Sequence, residues 1–253
     1  MIDTHTHLYL PEFDQDIDGV IERALALGVQ EFYLPAIDSS TTQAMYALEK
    51  RYPERMHLMM GLHPISVQEN FHQELDHVYQ ELNRRSFSAV GEIGIDLYWE
   101  TKTLPWQQEA FAQQIKWAQE FDLPIVIHCR ESFDEIFQVL DSVQGPMPKG
   151  IFHCFTGTLE QAQHIIGLGL SLGIGGVATF KNGKIDQFLA QIPIEHIVLE
   201  TDSPYLAPAP FRGKRNESSY LYHVAQRVSG IYDCPLTQVD QITSANAHAI
   251  FKS

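Results

Sequence analysis

Ile2-Asp3-Thr4-His5-Thr6-His7-Leu8 opens the chain with two histidines one residue apart, inside a run that reads as a strand. Alternate side chains of a strand share a face, so both imidazoles point the same way and can grip one ion. Alone the pair is a modest signal, because surface histidines at this spacing arise by chance. The rest of the chain gives it weight. Short β-branched or apolar runs recur at 29–36, 56–63, 89–95, 124–129, 150–155, 170–176 and 197–201, which with 2–8 makes eight. Most are near-continuously apolar, as strands buried on both faces are. Between them, 14–27, 41–51, 71–85, 105–121, 132–143, 159–168 and 183–191 read as helices, with 220–229 and 236–251 as closing helices. The pattern predicts an α/β protein, a (β/α)8 TIM barrel forming a single domain over 1–253. A doubly wound open sheet is the competing topology.

Composition sets the compartment and the partners. The 253 residues are 44% hydrophobic and 19% charged, enough to bury a large core. The first residues carry no basic start and no apolar leader, and no stretch approaches the roughly eighteen apolar residues of a membrane helix. The expectation is a cytoplasmic protein with no membrane partner, its oligomeric state open, a monomer included. Cys129, Cys154 and Cys234 are odd in number and lack C-x-x-C spacing, which predicts free thiols rather than disulfides or a zinc ribbon. A net charge of −15 argues against a nucleic-acid partner at first sight. Carboxylates clustered to hold cations contribute to that total without making the loaded site negative, so local charge decides.

On the barrel frame, His5, His7, His63, Glu92, His128, His153 and Asp202 all fall near carboxyl ends of strands, the rim where barrel enzymes carry their chemistry. Each histidine alone reads as well as a hydrogen-bonded core residue. Independent structural histidines have no reason to choose one rim, so together they predict a metal site. Mixed nitrogen and oxygen donors suit zinc, manganese or a similar ion, with Glu92 the natural bridge between two. Strand alternation turns Cys129 and Cys154 away from the interior, as packing thiols. Asp96 and Glu200 share the ligand face and either orient ligands or hold an additional ion.

These residues resemble the TatD-like metal-dependent hydrolases of the amidohydrolase superfamily, often described as deoxyribonucleases. The resemblance runs through Asp3-Thr4-His5-Thr6-His7, Gly61-Leu62-His63-Pro64, Gly91-Glu92-Ile93-Gly94-Ile95-Asp96, Ile127-His128-Cys129-Arg130, His153-Cys154-Phe155-Thr156-Gly157, Leu199-Glu200-Thr201-Asp202-Ser203-Pro204-Tyr205-Leu206 and Arg212-Gly213-Lys214-Arg215-Asn216-Glu217. It implies a barrel with two divalent ions (zinc, manganese or magnesium). His5, His7 and Asp202 would hold one, His128 and His153 the other, with Glu92 between them and His63 on a substrate phosphate. Ser218 stands where the family commonly has proline, which bears on the local loop shape.

Two metals suit in-line attack on a phosphodiester, with Glu92 and Asp202 as catalytic residues. Asp202 either takes the proton of the attacking water or serves as a ligand alone. Arg130, on the face of His128, and Arg212, Lys214 and Arg215 offer countercharge to phosphate; an ion pair or a solvated loop are the alternatives. Thr156-Gly157 offers backbone N–H groups to an anion or merely leads into a helix cap, and Lys181 and Asn182 sit on the same rim. Tyr98 and Trp99 lie at the mouth, where an aromatic ring either stacks on an unpaired base or covers the core. The function expected is hydrolysis of DNA, 3′ to 5′ on single strands, with RNA as another substrate. The alternative is ester or amide hydrolysis, such as deacylation of D-aminoacyl-tRNA, since a fold does not fix its reaction. A non-catalytic metal scaffold is disfavoured because every expected ligand is present.

Overall fold

The computed structural model describes residues 1–99, 101–181 and 183–251. Among them, eight strands pair in parallel in chain order: β1 Ile2–Asp3, β2 Glu31–Pro35, β3 Met56–Met60, β4 Ala89–Asp96, β5 Ile125–Arg130, β6 Gly150–Phe152, β7 Ser171–Ile174 and β8 Ile197–Leu199. The helices are α1 Ile17–Ala26, α2 Thr42–Arg51, α3 Phe71–Arg84, α4 Leu104–Glu120, α5 Phe133–Asp141, α6 Leu159–Gly167, α7 Leu221–Tyr232 and α8 Leu236–Phe251. This is the expected barrel. No helix among the described residues is long and apolar enough to cross a membrane.

The last seam, from β8 back to β1, is closed by scattered bonds rather than a regular ladder. Thr4 N and Oγ1 both donate to Leu199 O, Asp202 N donates to His5 O at 2.9 Å, and His7 N donates to Ser203 O at 2.7 Å. Asp3 accepts from Thr201 N and Oγ1 at 2.9 and 2.7 Å, and Thr6 and Ser203 share a hydroxyl contact of 2.6 Å. Ser218, in the place of the family's proline, joins this buried network through Thr6 and Asp3. Burial pushes the Asp3 carboxyl up to about 7, against the hydrogen bonds of Ser218 and Thr201. The same bonds that close the barrel therefore bring the segment after β8 against the one after β1.

The interior is layered. Ile2, Tyr33, Met59, Ala89, Val126, Ile151 and Val198 fill the lower layer, and Ala247, Ile250 and Phe251 of α8 pack into it from below. Phe251 stacks on Tyr33 with ring centroids 3.9 Å apart. Two residues further along three of these strands the inward position turns polar: His128 follows Val126, His153 follows Ile151 and Glu200 follows Val198. The outward residues, such as Phe32, Leu34, Ile93, Ile127 and Leu199, join the larger core beneath the helices.

Two local expectations are corrected. The first strand is shorter than 2–8, because beyond Asp3 the chain bonds to the β8 side instead of running in a ladder. The stretch 183–191 forms the 3-10 turns Ile185–Gln187 and Leu189–Gln191 rather than an α-helix. The helical path breaks at Phe188, whose φ of −132° and ψ of −9° lie off the α values and divide the two turns.

Phe251→Ala removes the largest side chain that α8 packs into the lower layer. We expect a loss of about 3 kcal/mol, read as a lower urea midpoint with an unchanged slope; an unchanged midpoint would mean that α8 does not seal the barrel.

Candidate metal centre

Glu92 sits at a break in the β4–β5 register, where Gly91 pairs with Val126 and Ile93 with Ile127 and the residue between is left over. Such a bulge re-aims one side chain. Here it turns a carboxylate into the barrel mouth, only 2% exposed. His5, His7, His63, His128 and His153 surround it. Glu92 Oε2 lies 3.2 Å from His5 Nε2 and 3.8 Å from His7 Nε2. Glu92 Oε1 lies 2.7 Å from His128 Nδ1, 2.8 Å from His153 Nε2 and 3.5 Å from His63 Nε2. Asp202 Oδ1 stands 3.7 and 3.6 Å from His5 and His7 Nε2, held there by the seam and by a left-handed backbone, φ 56°. The rings of His5 and His153 stack at 3.8 Å.

Neighbours decide what each imidazole can do. His7 Nδ1 meets Tyr9 Oη at 2.8 Å, while Tyr9 Oη donates to Pro35 O at 2.6 Å. The phenol proton being committed, the neutral His7 ring donates from Nδ1 and presents the Nε2 lone pair to Glu92 and Asp202. His63 is set the opposite way. Its Nδ1 accepts from Ile65 N at 3.0 Å, so the ring, kept neutral by burial, carries its hydrogen on Nε2 and is a donor there. His153 faces Glu200 Oε1 through Nδ1 at 3.4 Å and Glu92 through Nε2, and His128 Nε2 meets Asp96 Oδ2 at 2.8 Å. Asp96 and Glu200 thus orient two imidazoles. Gly173 makes room: a Cβ there would lie 2.2 Å from Glu200 Oε2.

Burial disfavours ionisation of Glu92, yet the surrounding imidazoles, His153 foremost, and the hydrogen bond of His128 hold its carboxyl well below the usual range. Burial likewise opposes the cationic forms of His128 and His153, but Asp96, Glu92 and Glu200 raise both above the ordinary imidazole value. No Lys or Arg is found among the buried polar residues described. The donor set fits a divalent cation. His5 is fully buried, and neither of its ring nitrogens has a hydrogen-bond partner among the described residues, a cost of about 1–3 kcal/mol that coordination removes. Among the described residues, three groups of donors lie close enough to share an ion: His5, His153 and Asp202; His5, His7 and Glu92; and His63, Glu92 and His128. The proton on His63 Nε2 sets the third group apart.

The model TatD related DNase matches residues 2–252 of the chain. The chain belongs to the TatD family. It is 34% identical to an uncharacterized metal-dependent hydrolase, YabD, of Bacillus subtilis over 254 residues, covering 100% of this chain and 99% of that protein. It is 32% identical to the 3′-5′ ssDNA/RNA exonuclease TatD of Salmonella typhimurium, covering 100% and 99% respectively. The crystal structure of YjjV, a TatD homologue from Escherichia coli, superposes with a TM-score of 0.94 at 29% identity, covering 100% of this chain and 98% of that one. The chain is accordingly a metal-dependent hydrolase of the TatD family.

The other sequence candidates separate. Arg130 lies over the rings of Tyr98 and Trp99, 3.8 and 5.6 Å from their centroids, and no carboxylate pairs with it among the described residues. Arg212 lies 4.0 Å over Phe180, and Lys214 sits 6.0 Å from the Phe211 centroid, both likewise unpaired. Arg215 instead clamps Asp16 with two bonds of 2.7 Å and is structural. Thr158 and Gln161 form the capping box of α6, so the turn after Thr156 caps a helix. Lys181 is exposed, and Asn182 lies outside the described residues. Cys154 departs from the expected alternation: β6 ends at Phe152, Cys154 is left-handed at φ 46°, and its N donates to Glu200. Burial, with the fields of Asp202 and Glu200, pushes its thiol well above the usual value. The sequence reading missed Tyr9, although it stands two residues beyond His7, at the spacing that joins His5 to His7.

Tyr9→Phe removes the group that accepts from His7 Nδ1. A 10- to 100-fold weaker hold on a divalent ion is expected, measured by competition with a fluorescent chelator; undiminished affinity would show that His7 needs no such lock.

Proposed function

We propose that the chain hydrolyses phosphodiester bonds of DNA, removing nucleotides from the 3′ end of single strands, with two divalent ions held by His5, His7, Glu92, His128, His153 and Asp202. The observation that carries this reading is a charge imbalance. Glu92, Asp96, Glu200 and Asp202 gather four carboxylates in the mouth, with no Lys or Arg among the buried residues described. Imidazoles ligate as neutral rings, and with their extra protons displaced two divalent ions would match the four carboxylates; zinc, manganese and magnesium all accept such donors. Bound there, such ions supply an acidified water and neutralise charge on the phosphoryl group in flight.

The chain's own residues do the rest. Asp202, open to the mouth at 13% side-chain exposure, receives the proton of the attacking water. His63 donates from Nε2 to a phosphate oxygen, the role its Ile65 contact leaves it. Arg130, Arg212 and Lys214, free of carboxylate partners among the described residues, receive the flanking phosphates. Unpaired guanidinium groups on the rim of a strongly acidic protein favour an anionic substrate. Relatives named as exonucleases on ssDNA and RNA support a nucleic-acid strand.

The test uses metal-stripped protein reloaded separately with zinc, manganese and magnesium, assayed on 5′-end-labelled single-stranded DNA and RNA and on D-aminoacyl-tRNA. The expected outcome is a ladder shortening from the 3′ end of the DNA, metal-dependent, with Glu92→Gln slower by about 10³-fold. Release of the amino acid with intact strands would establish the deacylase instead.

A further inference from the structure

The geometry points to a base-stacking platform at the mouth, formed by Tyr98 and Trp99 and backed by Arg130, that takes one unpaired nucleobase of the strand whose phosphate enters the centre. The inference rests on the proposed nuclease reading and deepens it by naming what the site recognises besides phosphate.

Trp99 is 65% exposed and Tyr98 50%, although large rings are normally covered. They do not cover the core, which was the other use open to them. The two rings meet edge to face, at 90° with centroids 4.8 Å apart, so they form a corner rather than a closed stack, with the indole the more exposed of the two. Arg130 lies over Tyr98 with its guanidinium 3.8 Å from the ring centroid, which stiffens the corner and puts a cation beside it.

The corner is tied directly to the metal centre through Asp96. Its Oδ1 accepts from Tyr98 N at 3.0 Å and Trp99 N at 3.3 Å, while its Oδ2 meets His128 Nε2 at 2.8 Å. One carboxylate therefore fixes both the loop that carries the rings and an imidazole that touches Glu92. Arg130 repeats the link from the other side, because it is the second residue after His128 on β5. Through this link, a strand whose phosphate sits at the centre can lay a nearby base on the corner. Aromatic rings bind any base by its flat face and so give affinity with little sequence preference. The face is accessible only when the base has left its duplex stack, which makes the corner selective for unpaired ends.

The test is equilibrium binding, by fluorescence anisotropy with the metal-loaded protein, of two labelled single-stranded oligonucleotides with hydrolysis-resistant phosphorothioate linkages at the 3′ end, one intact and one abasic at its last two 3′ positions. For the native protein the abasic strand is expected to bind about tenfold more weakly. Trp99→Ala is expected to weaken the intact strand about tenfold and the abasic strand hardly further, with Trp99→Phe restoring the intact affinity and quenching of indole fluorescence lost in both variants. Equal losses on both strands, equal affinity of the native protein for both, or no binding at all would overturn the platform. Cleavage is scored separately: base-dependent binding without strand shortening leaves the platform standing and removes the nuclease reading.

Discussion

A buried carboxylate with five imidazoles around it is the constraint on which the upper half of this barrel depends. Glu92 has almost no contact with solvent, and removing such a charge from water costs several kcal/mol unless partners replace the lost hydration. The partners arrive from four different strands and from the segments just beyond them, so none can shift without leaving the carboxylate exposed to an apolar wall. The bulge in β4 aims Glu92 inward, and the β8–β1 seam holds Asp202 and His5 within reach of each other. The lower layer, apolar and sealed by α8, supplies a stability that the polar layer above it does not. Division into a stabilising floor and a chemical rim is what a parallel barrel imposes on its sequence.

Much of this was legible because a strand has period two. Val126 and His128, Ile151 and His153, Val198 and Glu200 are successive inward positions, and the change from apolar to polar along each run marks the level at which chemistry begins. The ligand-type residues stood out because they repeat that change on several strands at once. What the period could not give is whatever breaks it. The bulge at Glu92, the left-handed turns at Cys154 and Asp202 and the irregular seam after Asp3 are set by tertiary contacts, so Cys154 was expected on the wrong face and β1 was expected too long. The helix expected at 183–191 gave way to two 3-10 turns divided at Phe188, whose backbone leaves the α values where the apolar spacing alone gave no sign of a break.

Formal charge was the least informative bulk property. The total of −15 describes a solvated acidic surface together with a buried cluster, whereas recognition of an anion depends on the few cations that no carboxylate has claimed. Arg23, Arg51, Arg85, Arg215 and Arg227 are each paired with acids. Arg130 and Arg212 are paired with rings instead. An arginine stacked on an aromatic face keeps its hydrogen-bonding edge free, so it holds a fixed position without surrendering its charge.

Control of tautomers is the finer level at which the site is written. His7 and His63 present the same nitrogen to the same carboxylate, yet a phenol behind one and a backbone N–H behind the other assign them opposite hydrogen-bonding roles. A lone pair facing the mouth suits a cation, and an N–H facing it suits a phosphate oxygen. The resemblance to known hydrolases implied such a division of labour, and the contacts behind the rings are compatible with it. Since Tyr9 is held by Pro35 of β2, the orientation of His7 is set by the neighbouring strand's backbone rather than by its own loop. Metal affinity in such a site therefore depends on how firmly β1 and β2 stay in register, which couples the chemistry of the rim to the integrity of the barrel beneath it.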